Sequence, residues 1–230
     1  MWNGTENQIT LVFIRHGMTQ ANKEHRYLGK TEEGLSEEGV TELRKAKAAG
    51  RYPQVECVYS SPMQRCLETA ELLYPGRTPE IIPEWEEIDF GIFEGKNYAE
   101  LNGDPRYQAW IDSNGTLPFP EGESREEFML RCEKGFERML QKLVCAPGEA
   151  AWDEEGIRVV EGKLSEECRT AERTVAVIVH GGTIMSLLSR YYGGEYFDYQ
   201  VTNGGGYLCK AVNLGKIADS EMKITEIEKL

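Results

Sequence analysis

No apolar stretch in these 230 residues reaches the ~18–20 positions that a membrane-crossing helix requires. The opening Met1–Gln8 lacks a charged start followed by an apolar run, so it does not read as a secretory leader, and the expectation is a cytoplasmic protein. There is no CxxC pair. The six cysteines (Cys57, Cys66, Cys132, Cys145, Cys168 and Cys209) are widely spaced in a chain much larger than a disulfide-stapled scaffold, which points to reduced thiols. Positive charge is scarce: Lys+Arg number 26 against Asp+Glu 39, for a formal charge of −13. That balance excludes a nucleic-acid binder, which needs clustered Lys and Arg, and an anionic membrane surface as partner. Any acidic ligand must be held by positive charge concentrated locally. Internal repeats and low-complexity tracts are also missing.

The composition supports a sizeable core: 40% of residues are hydrophobic and 10% aromatic. Two short runs are almost wholly apolar, Ile9–Ile14 and Thr174–Val179. Six β-branched-rich residues flanked by glycine favour strands buried on both faces, as in a parallel sheet covered by helices, over a buried helix. Between them the pattern alternates in the α/β manner. Ser36 caps a helix through Lys47, closed by Gly50. A strand at Val55–Tyr59 leads into Ser60-Ser61-Pro62, where a serine cap and proline at the first helical position start a helix to about Tyr74. Glu80–Ile82 reads as an edge strand. Ser124 and Glu127 form a capping box for a long helix to about Val144. A further helix follows Gly181-Gly182 and stops at Gly193-Gly194. Two late strands, Tyr207–Val212 and around Met222–Ile227, are expected to pair antiparallel. The fold class is therefore α/β: a three-layer sandwich with a mostly parallel central sheet flanked by helices. Residues 1–230 are expected to form a single domain. Within it, 84–123 makes a lid of loops and short helices, and 146–173, with a strand at Ile157–Val160, makes a surface elaboration too short for its own core.

Only three histidines occur, His16, His25 and His180. Two share one local setting, directly after a buried strand and directly before glycine: Arg15-His16-Gly17 and Val179-His180-Gly181. Ligands of open α/β sheets bind at the carboxyl ends of strands, and glycine there leaves room for an approaching group. A lone histidine at a strand end is usually a packed structural residue; two in matched settings point to function. Metal binding would need further ligands, and Arg15 beside His16 would repel a cation. Arginine instead suits phosphate oxygens, and a second one, Arg65, falls in the first turn of the helix after Pro62, where free N–H groups also favour anions. Arg15, Arg65, His16 and His180 would thus enclose a phosphoryl group, one imidazole acting as nucleophile. The leaving oxygen needs a proton, and the carboxylate-rich Trp85–Gly91 segment is the evident supplier.

These residues resemble the histidine phosphatase superfamily, the phosphoglycerate mutase-like proteins. Its Arg-His-Gly signature stands at Arg15-His16-Gly17, followed by Met18–Asn22, Arg26–Gly29 and Leu35–Gly39. Ser60-Ser61-Pro62 with Arg65 and Thr69-Ala70, Glu87 with Phe90-Gly91 and Glu94-Gly95, Gly122-Glu123-Ser124 and Val179–Gly182 continue the pattern in order. The resemblance implies His16 as the phosphorylated nucleophile and Arg15, Arg65 and His180 as the phosphate pocket, with Asn22 and Gly181 also at the substrate. It implies Glu87 as proton donor, Glu86 being the nearest competitor. No metal or organic cofactor is implied, and the partner is a small-molecule phosphate ester. Mutases carry a longer insertion after the acidic residue, so the run Gly91–Gly95 looks like the phosphatase branch. Tyr27-Leu28-Gly29, Asp89–Gly95 and Pro120–Ser124 are similar to the α-ribazole phosphatases, which would make α-ribazole 5′-phosphate a substrate. Met18 stands where the family often has an acidic residue and Glu32 where aspartate is common. The expected activity is a metal-independent phosphomonoesterase; the alternatives are a mutase primed by a bisphosphate, and a catalytically silent phospho-ligand binding module.

Overall fold

In the computed structural model, residues 8–144, 173–212 and 222–230 are described. The central sheet has six strands: β1 (Ile9–Arg15), β2 (Cys57–Ser60), β3 (Glu80–Ile81), β4 (Arg173–Val179), β5 (Gly206–Val212) and β6 (Lys223–Lys229), in the order β3-β2-β4-β1-β5-β6. β3, β2, β4 and β1 run parallel, whereas β5 is antiparallel to both β1 and β6. The apolar runs occupy the two innermost places, β1 and β4, where both faces are covered.

Side chains alternate between the faces, as strand geometry requires. Leu11 and Phe13 of β1 and Val175, Val177 and Val179 of β4 pack against helices α6 (Arg125–Val144) and α7 (Gly181–Tyr191), through Phe128, Phe136, Met139, Ile184 and Leu187. Val12, Ile14, Ala176 and Ile178 face the other way, onto Leu43 of α2 (Glu37–Ala48) and Cys66, Ala70 and Leu73 of α3 (Gln64–Leu73). The result is the expected three-layer sandwich.

Thr19 caps the one-turn helix α1 (Gln20–Lys23), Ser36 caps α2 by accepting from the Gly39 amide, and Ser124 and Glu127 make the reciprocal box at the start of α6. Two boundaries differ from the sequence reading. The second strand begins at Cys57 rather than Val55, because its ladder register with β4 runs over Cys57–Ser60, the Glu56 amide adding one bond to the Thr174 carbonyl ahead of it. Helix α3 starts at Gln64 with Met63 as its unassisted cap, so Ser61 and Pro62 precede the helix. The Ser61 hydroxyl is shared between His180 and the Met63 amide. The strand expected at Ile157–Val160 lies outside the described residues.

The 84–123 segment contains 3₁₀ turns at Pro83–Trp85 and Gly91–Phe93 and two short helices, α4 (Tyr98–Leu101) and α5 (Pro105–Asp112). It holds an aromatic cluster of its own. Trp110 stacks on Phe119 at 4.8 Å, Phe90 meets Phe119 edge-on at 4.9 Å, and Tyr27 contacts both Phe90 and Phe93. Such pairs contribute ~0.5–1.5 kcal/mol each beyond area burial. Arg131 of α6 fastens the segment's start, donating to both carboxylate oxygens of Glu123 and to the carbonyls of Glu84 and Glu86.

Candidate active site

Strand register assembles the site. Arg15 lies opposite Val179 in the β1–β4 ladder, and the His16 amide donates to the Val179 carbonyl at 3.0 Å. His16 and His180 therefore leave the sheet level with each other, their ring centroids 5.2 Å apart and inclined at 65°. On the other side of β4, the Ser61 amide donates to the Ile178 carbonyl, which brings the Ser60-Ser61 corner against His180. Helix α3 begins just beyond and delivers Arg65. His16, Arg65 and His180 are all buried.

The two imidazoles are held differently. His16 Nδ1 lies 2.7 Å from the Gly17 carbonyl. A carbonyl only accepts, so Nδ1 carries the proton and Nε2 of the neutral ring presents its lone pair. Burial, then the Arg65 and Arg15 charges, hold the His16 pKa well below the ordinary 6.5, so the ring is neutral at pH 7. His180 is depressed in the same direction, first by burial and then by Arg65 and His16. Its Nε2 is hydrogen-bonded to Ser61 Oγ at 2.9 Å, and its Nδ1 stands 3.7 Å from Glu87 Oε2.

Both guanidiniums are anchored through their terminal nitrogens. Arg15 donates to the Val201 carbonyl, and Arg65 to the Gly29 and Thr31 carbonyls. The buried Nε atoms of Arg15 and Arg65 have no partner among the described residues. A buried, unpaired cationic donor is costly, and an anion is the group that would satisfy it. The Arg65 and Arg15 charges act on both histidines, whose rings face each other, so the structure brings these four side chains together.

Glu87 faces the same space. Its side chain is 13% exposed, burial raises its pKa above the usual 4.5, and the Ile88 amide and the charges of Arg65, Arg15 and Arg131 temper the rise. An added Cβ on Gly182 would lie 3.2 Å from Glu87 Oε1 and 2.9 Å from Phe128. Glycine there leaves room for the Glu87 carboxylate against the start of α7. Of the two candidate acids, it is Glu87 whose carboxylate reaches His180; the Glu86 carbonyl serves Arg131. Gly181 is different: an added Cβ would make only ordinary contact with Arg15 Nε, at 3.6 Å. His25 is exposed, with a positive φ of 55°, and is not part of this constellation.

Asn22 sits at the margin. Asn203 Nδ2 donates to Asn22 Oδ1 at 2.9 Å and to the His16 carbonyl at 3.2 Å, which turns the Asn22 amide so that its NH₂ is the end left for a ligand. Three supporting residues were not singled out from sequence as site groups. Asn203 braces the His16-Gly17 turn. Thr69 accepts from the Gly17 amide and donates to the Arg65 carbonyl, tying nucleophile loop to arginine helix. Arg131 holds the backbone that presents Glu87. Thr69 lay within a recognised motif, whereas Asn203 and Arg131 carry no local signal.

A cleft of about 1200 Å³ borders the site at Arg15, Gly17 and Asn22 and extends past Tyr27 and Tyr52 to Lys45 and Arg51. His16, Arg65, His180 and Glu87 are not among its lining residues.

A neutral buried imidazole thus stands beside two guanidiniums with unpaired Nε atoms, at the carboxyl ends of the parallel strands of a three-layer α/β sheet. Residues 11–146 match the histidine phosphatase superfamily (branch 1), and the chain belongs to that family. Among curated relatives, it is 31% identical over 147 residues to a bifunctional protein of Mycobacterium tuberculosis, covering 60% of this chain and 40% of that protein. It is 31% identical over 136 residues to the adenosylcobalamin/α-ribazole phosphatase of Salmonella typhimurium, covering 57% of this chain and 67% of that one. The chain thus spans well under two thirds of the first of these. Among solved structures, a putative α-ribazole-5′-P phosphatase from Escherichia coli superposes with a TM-score of 0.69 at 21% identity over 96% of each chain, which shows the shared phosphoglycerate mutase-like fold. Among the described residues, no helix is long and apolar enough to cross a membrane.

Proposed function

We propose that this protein is a phosphomonoesterase that works through a phosphohistidine and needs no metal. The observation that carries the reading is the His16 ring: Nδ1 bound to the Gly17 carbonyl, Nε2 available, and two unpaired arginine N–H groups beside it. In the first step His16 Nε2 attacks phosphorus, the P–N bond forms and the ester P–O bond breaks. Arg15, Arg65 and His180 stabilise the charge on the equatorial oxygens. Glu87, whose pKa burial raises, gives its proton to the leaving oxygen. In the second step the same carboxylate takes a proton from water, which displaces the phosphoryl group from His16 and releases inorganic phosphate. Asn22 adds a donor to the phosphoryl oxygens.

The substrate is a small phosphorylated metabolite, and α-ribazole 5′-phosphate is the first to test, given the named relatives. The chain acts as one domain, with 84–123 as the lid that supplies Glu87. The deciding assay is p-nitrophenyl phosphate hydrolysis in EDTA. Turnover persists under chelation and is lost in His16→Ala. A requirement for added metal would overturn the mechanism, and activity appearing only with a bisphosphate primer would favour the mutase.

A further inference from the structure

Arg65 reaches its place through a short stretch of backbone rather than through a carboxylate. Its two terminal nitrogens donate to the carbonyls of Gly29 (2.8 Å) and Thr31 (3.2 Å), which leaves Nε unpartnered. The amides of those same two residues both donate to one oxygen, Glu94 Oε1, at 2.8 and 3.0 Å. The 29–31 loop is thus gripped from both sides, by Arg65 on its carbonyls and by Glu94 on its N–H groups.

The loop has little freedom to find another arrangement. The Ile88 carbonyl stands 2.2 Å from where a Cβ on Gly29 would lie, with Glu94 Oε2 at 2.8 Å, so backbone meets backbone here and only glycine fits. Just before it, the Tyr27 amide donates to the Lys96 carbonyl, and the Gly95 amide donates to the Tyr27 carbonyl. Glu94 Oε2 is itself buried and has no hydrogen-bond partner among the described residues. A buried carboxylate with one oxygen doubly engaged and the other idle is a costly way to close a loop. Its placement has a use if the loop must hold something in register.

We propose that Glu94 is a positioning residue for the phosphate pocket: by fixing the 29–31 loop it sets the orientation in which Arg65 meets the phosphoryl group. The lid segment then serves the chemistry twice. It presents Glu87 directly, and through Glu94 it holds the carbonyl cage of Arg65, so closure of one segment organises both the acid and the anion donor. This inference rests on the pocket of Arg15, Arg65, His16 and His180 being the phosphate site.

The test is inorganic phosphate binding by calorimetry, together with kcat and KM on p-nitrophenyl phosphate, for the native protein, Glu94→Ala and Glu94→Gln, with thermal melts to verify folding. Removing the acceptor leaves two amides unpaired and lets the guanidinium drift, and small misplacements in such sites cost roughly ten- to a hundredfold. Glu94→Ala is therefore expected to weaken phosphate binding about tenfold or more and to lower kcat/KM in step. Glu94→Gln keeps an acceptor oxygen at the same reach and recovers phosphate affinity to within about threefold of native. Should Glu94→Ala not fold, Glu94→Asp, which withdraws the oxygen by one methylene, replaces it with the same expected direction. Unchanged phosphate affinity in a folded Glu94→Ala would overturn the proposal, as would a Gln variant as impaired as the Ala variant. If the native protein binds phosphate but hydrolyses no monoester, the hydrolase reading falls, while the phosphate series still decides the role of Glu94.

Discussion

The two strand ends that carry His16 and His180 look alike in sequence, each a buried run, a histidine and a glycine, yet their rings are held for different work. After His16 the chain enters an irregular turn, and the ring folds back onto its neighbour's carbonyl, which fixes the tautomer and leaves Nε2 unengaged. After His180 the chain goes directly into α7, so no carbonyl is available beside it. That ring is held by Ser61 on one nitrogen and faces Glu87 on the other. In the proposed mechanism, the local backbone after each histidine, turn or helix, suits one ring to attack and the other to binding.

Substitutions at the two rings should separate these parts most strongly. His16→Ala is expected to lower turnover about a thousandfold or more, since the covalent route disappears. His180→Ala removes one donor to the phosphoryl oxygens and should cost about a hundred- to a thousandfold, with His16 still phosphorylated slowly. Steady-state assays and rapid-quench labelling measure the difference; equal loss of labelling in both variants would erase the distinction.

The carboxylate beside His180 comes next. Glu87→Gln should reduce kcat about a hundredfold or more on alkyl phosphates, and less on p-nitrophenyl phosphate, whose leaving group needs little protonation. Glu86→Gln should stay within about twofold of native, because its side chain is not at the reacting groups. The two shifts set the pH profile of kcat/KM. Activity rises as His16 loses its proton, below pH 6.5, and falls as Glu87 loses its own, above pH 4.5. In Glu87→Gln the falling limb should vanish.

The braces come third. Ser61→Ala acts on the His180 side and Thr69→Val on the His16 side. Each removes two buried hydrogen bonds, and each should cost about five- to tenfold in kcat/KM. The Thr69 variant should reduce the rate of His16 phosphorylation, and the Ser61 variant phosphate affinity. Both histidines are also a stability device with a definite sign. Their folded pKa values lie below the unfolded 6.5, so the unfolded chain takes up protons first as pH falls. Stability contributed by the neutral rings is full above pH 6.5 and declines below it, and the melting temperature of native protein should drop over that range more than that of His180→Gln.

Much of this arrangement was legible before any coordinates. β1 and β4 announce themselves because central parallel strands are apolar on both faces, and Arg15, His16, Arg65, His180 and Glu87 lie in motifs with fixed spacing. Two boundaries were not. The serine at position 61 has the chemistry of a helix cap, but its hydroxyl is shared between His180 and the Met63 amide, and α3 begins later. Asn203 and Arg131 act across 181 and 45 residues of sequence, on Asn22 and on the Glu86 carbonyl, and a partner that distant leaves no periodic or local trace.

The central claim is that His16 Nε2 accepts the phosphoryl group. Its most direct test is to quench the enzyme with acid-free denaturant during turnover of a labelled monoester and map the label by tandem mass spectrometry. The account predicts an acid-labile, base-stable phosphoryl group on His16. Label on His180 or Ser61, or rapid turnover with no labelled protein at any time point, would contradict it.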